Sequence, residues 1–156
     1  GLERLNEVIE QNPANLDALY ALGWFWMQTY GDSAKALDYL DQCVATDPEN
    51  VACLNYLATV QLALLETDDA MQTYRQLMNT QPTDSLYYLR AGRTFANANQ
   101  CTVAVPWLEQ GYALEQERGD QSLDRLAAFE EFLLGCGVAI TPVYSSPEDT
   151  TTEPGS

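Results

Sequence analysis

Between residues 16 and 48 apolar side chains recur at helical intervals. The stretch reads as two helices joined by a turn at Tyr30-Gly31-Asp32-Ser33 and closed by Asp47-Pro48. The first helix carries Leu19, Leu22, Gly23 and Trp26, a stripe whose glycine lets another helix approach closely. The second carries Ala36, Leu40, Cys43 and Val44. Neither can bury its stripe alone, so each needs the other and a neighbour on either side. Upstream, residues 2–11 predict a lone amphipathic helix with Leu2, Leu5, Val8 and Ile9 on one face and Glu3, Glu7 and Glu10 away from it. Downstream, residues 119–136 predict a helix with Leu126, Phe129, Leu133 and Cys136 inward, and Asp124, Arg125, Glu130 and Glu131 largely off that face. Gly135 and Gly137 supply its stop. Asn15 and Asn50 stand where side chains cap helix starts, and Thr83, Asp84 and Ser85 offer the same chemistry. Asp68 and Asp69 read as the acidic first turn of a helix rather than as a metal site. Residues 139–156, rich in Pro, Thr, Ser and acid, have no periodicity and little to bury, and predict a flexible tail.

The helices repeat. Pro13, Pro48 and Pro82 each end a helical stretch, at separations of 35 and 34 residues. Leu54, Leu57, Ala58 and Gln61, then Ala70, Tyr74 and Leu77, fall in register with residues 16–48. So do Tyr88, Ala91, Gly92 and Phe95, then Ala104, Leu108 and Gly111. This pattern resembles the tetratricopeptide repeat, over residues 1–117. Departures are modest: Leu and Tyr stand where the family favours Trp, and Gln61 replaces an aromatic. The first repeat has an extra residue near Tyr30, and the third ends in Leu114-Glu115-Gln116 without its proline. The resemblance implies an all-α, right-handed solenoid over residues 1–138. Residues 1–13 form a half repeat, 14–48, 49–82 and 83–117 three repeats, and 119–137 a capping helix.

The family holds proteins together, lining a concave groove with the first helix of each repeat. Carried over by position, the groove comprises Asp17, Tyr20, Trp24, Met27 and Gln28, then Ala52, Asn55, Thr59 and Leu62, then Leu86, Leu89, Arg93, Ala96 and Asn97, with Arg90 beside them. One subfamily grips a terminal carboxylate with a Lys/Asn/Lys/Arg clamp. Here Arg90 alone falls on a clamp position, and Tyr20, Trp24, Tyr56 and Leu86 hold the others. An aromatic shelf facing Arg90 and Arg93 suits an extended peptide or protein segment, apolar or cationic, with room for one acidic group. Phe25 is left for the convex side or a neighbouring helix.

Cys43, Cys53, Cys101 and Cys136 match no zinc-binding spacing. On the repeat arrangement that the resemblance implies, Cys43 falls near Cys53 and Cys101 near Cys136. Two disulfides would place the protein outside a reducing cytoplasm, in a periplasmic, surface or secreted setting. Four free buried cysteines are the alternative and would return it to the cytoplasm.

The 156 residues, 46% hydrophobic, can bury a proper core. Acidic residues outnumber basic ones 23 to 7, a net charge of -16 that disfavours nucleic acid and anionic membrane surfaces. There is no histidine, which removes Ser-His-Asp and Cys-His catalysis. No catalytic residue, metal or cofactor is expected, and no apolar run would insert in a membrane. Opening on Gly1 rather than Met points to a longer precursor. Two uses follow: a non-enzymatic scaffold with a peptide groove, or a subunit that self-associates head-to-tail through its ends.

Overall fold

The structure, a computed structural model, describes residues 1–118 and 123–141. Eight α-helices and no strand occur among them: α1 (Leu2–Gln11), α2 (Leu16–Tyr30), α3 (Ser33–Thr46), α4 (Val51–Ala63), α5 (Thr67–Thr80), α6 (Ser85–Asn97), α7 (Cys101–Glu117) and α8 (Leu123–Gly135). The chain divides into two compact units between Pro82 and Thr83. The predicted tail from residue 142 and the predicted helix start at 119–122 lie outside the described residues.

In the first unit α2 pairs with α3 and α4 with α5, α3 lies on α4, and α1 lies on α2. Side chains fix where the helices begin. Asn15 Oδ1 accepts the Ala18 N–H at 2.9 Å, Asp32 Oδ1 that of Lys35 at 3.0 Å, and Asn50 Oδ1 that of Cys53 at 3.0 Å. The core holds Ala36, Leu40, Leu57 and Val60, with Tyr20, Trp26, Met27 and Tyr56 packed against it half-buried. A second cluster joins Leu19 to Cys43 and Cys53. Gln61, an aromatic position in the family, is buried as a polar residue because Thr73 Oγ1 donates to its Oε1 at 2.7 Å. The extra residue of the first repeat is absorbed at the end of α2. Gly31 adopts a left-handed conformation (φ 64°) while the Asp32 N–H reaches back to the Trp26 carbonyl.

In the second unit α7 packs on both α6 and α8, and α8 also touches α6. Small residues set these approaches. A Cβ added at Gly92 would lie 2.3 Å from Leu108 Cδ2, and one at Gly111 2.5 Å from Phe129 Cζ. The proline missing after Leu114 has a structural result. Pro48 and Pro82 follow α3 and α5 closely, whereas α7 continues through Gln116 to Glu117. That added turn carries Glu115 into the interior, fully buried. Ser85 Oγ donates to its Oε2, and Arg125 Nη1 and Arg118 Nη1 stand 3.6 and 3.7 Å from the same oxygen. Arg125 and Glu130 therefore differ from the outward placement predicted above. Arg125 turns in to pair with Glu115, and Glu130 is buried, its Oε1 accepting from the Tyr112 hydroxyl at 2.8 Å. Each polar group goes inside because a partner waits there.

Candidate functional site

The α2–α4 face of the first unit carries the most conspicuous surface group. Tyr20, Trp24 and Gln28 are spaced one helical turn apart on α2, so they share a face. Trp24 is 49% exposed. Tyr20 is braced by Tyr56 of α4, with ring centroids 5.9 Å apart, and the Gln28 side-chain amide donates to the Tyr56 hydroxyl at 3.0 Å. Burial pushes the Tyr56 hydroxyl up from its usual range, Gln28 draws it back, and nearby Tyr20 raises it again. Asp17 lies exposed near the start of α2, and Asn55 and Thr59 are half-buried on α4. Thr59 donates its hydroxyl to the Asn55 carbonyl at 3.0 Å, so that proton is already engaged. The result is an aromatic shelf with amide and carboxylate groups at its margin.

Two residues assigned to the shelf by family position sit elsewhere. Leu62 is 5% exposed and belongs to the core. Met27 faces α3, packed in the core with its sulfur accepting from Ser33 Oγ at 3.3 Å. Helical rotation explains both, since each lies between the outward and inward stripes of its helix. Tyr56 is the residue to add, and its place on the clamp alignment was the available signal. Phe25 packs edge-on against Trp26 and Tyr30, away from the shelf.

In the second unit Leu86, Leu89 and Arg90 are half-buried on α6, and Arg93 and Asn97 are exposed. Arg90 stands over the Tyr87 ring at 5.7 Å. Asn97 lines an open cleft of about 320 Å³ with Ala96, Asn99, Glu131 and Phe132, beside Cys101 and Cys136.

All four cysteines are paired, Cys43 with Cys53 (Cα–Cα 6.2 Å) and Cys101 with Cys136 (5.4 Å). The first pair is wholly buried, the second half-buried. Among the described residues no group of three His, Cys, Asp or Glu is placed to hold a metal ion. None of their helices is long and apolar enough to cross a membrane.

Residues 29–91 match the tetratricopeptide repeat family, and they span the α3–α5 packing just described. That segment carries tetratricopeptide repeats. The chain's fold, an all-α repeat solenoid, is shared with solved structures of low sequence identity. A crystal structure of MamA aligns with a TM-score of 0.64 at 15% identity, covering 88% of this chain and 77% of that one. MamA from Desulfovibrio magneticus gives 0.60 at 15%, covering 87% and 81%. A tetratricopeptide repeat protein from Parabacteroides merdae gives 0.61 at 19%, covering 84% of this chain and 52% of that one. This chain therefore spans about half the length of the Parabacteroides protein. No curated protein matches it in sequence. Tetratricopeptide repeats generally mediate protein–protein interaction and typically do so without catalysis.

Proposed function

We propose that the chain is a non-enzymatic interaction module that holds an extended peptide or protein segment on the α2–α4 face of its first unit, and that it works outside the reducing cytoplasm. The observation that carries the binding reading is Trp24. A tryptophan half open to water, on a helix whose neighbours are fixed by the Tyr20–Tyr56 ring contact and the Gln28–Tyr56 hydrogen bond, loses little entropy on capturing a ligand. The two cysteine pairs support the setting, because such bridges persist in oxidising compartments. Peptides selected on the intact protein and re-measured on a Trp24→Ser variant test the site. We expect a loss of about tenfold or more in affinity, as for a central aromatic anchor. Selected peptides that bind the variant equally well refute the shelf.

A second reading is self-association through the ends. It is favoured by the exposed Leu123 and Leu134 on α8 and Val8 on α1. Sedimentation separates the two, since end-to-end stacking gives a mass that rises with concentration.

A further inference from the structure

The turns that join the two helices of each repeat close on a left-handed residue: Gly31 (φ 64°), Leu65 (φ 63°) and Asn99 (φ 59°). Glycine and asparagine suit that conformation, and leucine does not. Leu65 gains nothing from burial in exchange, because it is 82% exposed. It serves neither its turn nor the core.

Leu65 is not isolated. Leu64, beside it, is 37% exposed. Since α3 runs back between α2 and α4, those two helices end at the same edge of the first unit, which brings Tyr30 to that edge, 60% exposed. Its ring is held against Phe25 and Trp26 at 5.6 and 4.9 Å. Carboxylates follow directly: Asp32 after Tyr30, then Glu66, Asp68 and Asp69 after Leu65. Asp38 and Asp41 add charge from α3, and Asp41 is held up by burial and then by Asp38, Glu66 and Asp69. Among the described residues no salt bridge reaches Asp38, Asp41, Glu66 or Asp69. The unit's basic residues are Arg4, Lys35 and Arg75, and Lys35 is placed over the Trp26 ring at 3.9 Å. The field along this edge is negative, with Lys35 the one cation beside it among the described residues.

We propose that this turn edge, with Tyr30, Leu64 and Leu65 as apolar anchors and Glu66, Asp68 and Asp69 as its acidic border, docks a basic amphipathic segment of a partner protein. The apolar anchors take the partner's bulky side chains, and the carboxylates take its Lys or Arg. A second copy of this chain fits poorly, because each copy carries a charge of -16. None of these residues belongs to the α2–α4 shelf.

A short amphipathic Lys/Leu peptide, labelled and titrated by anisotropy against the full chain at near-physiological salt, is the probe. Leu65→Asn places at this turn the residue that Asn99 supplies in the third repeat. It should raise Tm by about 2–4 °C while weakening the probe by about tenfold. A structural residue cannot give that pair of results, since its loss would lower Tm. Glu66→Gln with Asp69→Asn should weaken binding by about threefold or more and flatten its salt dependence. Affinity lost in Trp24→Ser and kept in Leu65→Asn would place the probe on the shelf and overturn the proposal. Wild-type affinity in Leu65→Asn overturns the proposal. So does equal binding of a Lys/Gly peptide of the same charge, or a concentration-dependent mass that Leu65→Asn abolishes.

Discussion

Replacing Arg125 by Met should loosen the second unit far more than an ordinary surface change. The Glu115 carboxylate is wholly buried, with Arg125 Nη1 at 3.6 Å and Arg118 Nη1 at 3.7 Å. At an effective dielectric near 20, a pair at such a distance attracts by about 4–5 kcal/mol, before desolvation is subtracted. The two arginines are not equivalent. The Arg118 side chain is 40% exposed and that of Arg125 26%, so water screens Arg118 more. Arg125 also reaches Asp84 Oδ1 at 3.8 Å and donates to Ser85 Oγ at 3.2 Å, tying the start of α6 to α8. Methionine keeps much of the side-chain volume but takes the better-shielded cation away from the buried charge, at a cost of about 2–4 kcal/mol. Glu115→Gln removes the charge and keeps an acceptor for Ser85, at a cost of about 1–2 kcal/mol. With both changes the penalty should fall short of the sum by about 1–2 kcal/mol. Urea unfolding of the full chain measures this through Trp107, a buried reporter in the same unit, with Trp24 and Trp26 replaced by Phe throughout. Costs that add to within about 0.5 kcal/mol would refute the coupling.

Gln116→Pro restores the family's proline yet should destabilise by about 3 kcal/mol, because here α7 runs through that position and the ring would collide with its preceding turn. Thermal melts read the change. Burial, then the hydrogen bond to Glu130 and its charge, push the Tyr112 hydroxyl up to about 12. Its unfolded value lies near 10, so the stability linked to it is fully present below about pH 10 and lost as pH rises to about 12. Tyr112→Phe should flatten that alkaline decline in Tm relative to wild type.

The fold was legible because its signals are local and repeated. Asn15 and Asn50 mark helix starts by capping chemistry, and Pro48 and Pro82 mark the ends of α3 and α5 in register. The cysteine pairing followed once the repeat arrangement was in hand. The interior of the second unit was less legible. Periodicity assigns Arg125 and Glu130 to the wet side because it weighs hydrophobicity alone. It does not register that Glu115 and Tyr112 wait across the helix interface. That Tyr20, Trp24 and Gln28 share one face was legible from their spacing of one turn. The inward turn of Leu62 and Met27 was not legible, because rotation of a few tens of degrees about the helix axis decides between core and surface.

The bridges also bear on what the molecule does under tension. Pulled between its ends, a polypeptide yields length as it unravels, but a covalent loop passes the load across its bridge. Cys43–Cys53 and Cys101–Cys136 close separations of 10 and 35 residues. At 3.3–3.6 Å per residue they withhold about 150 Å of slack from a stretched chain. A reductant would release that length in two steps of unequal size, and the longer would come from the bridge more open to solvent.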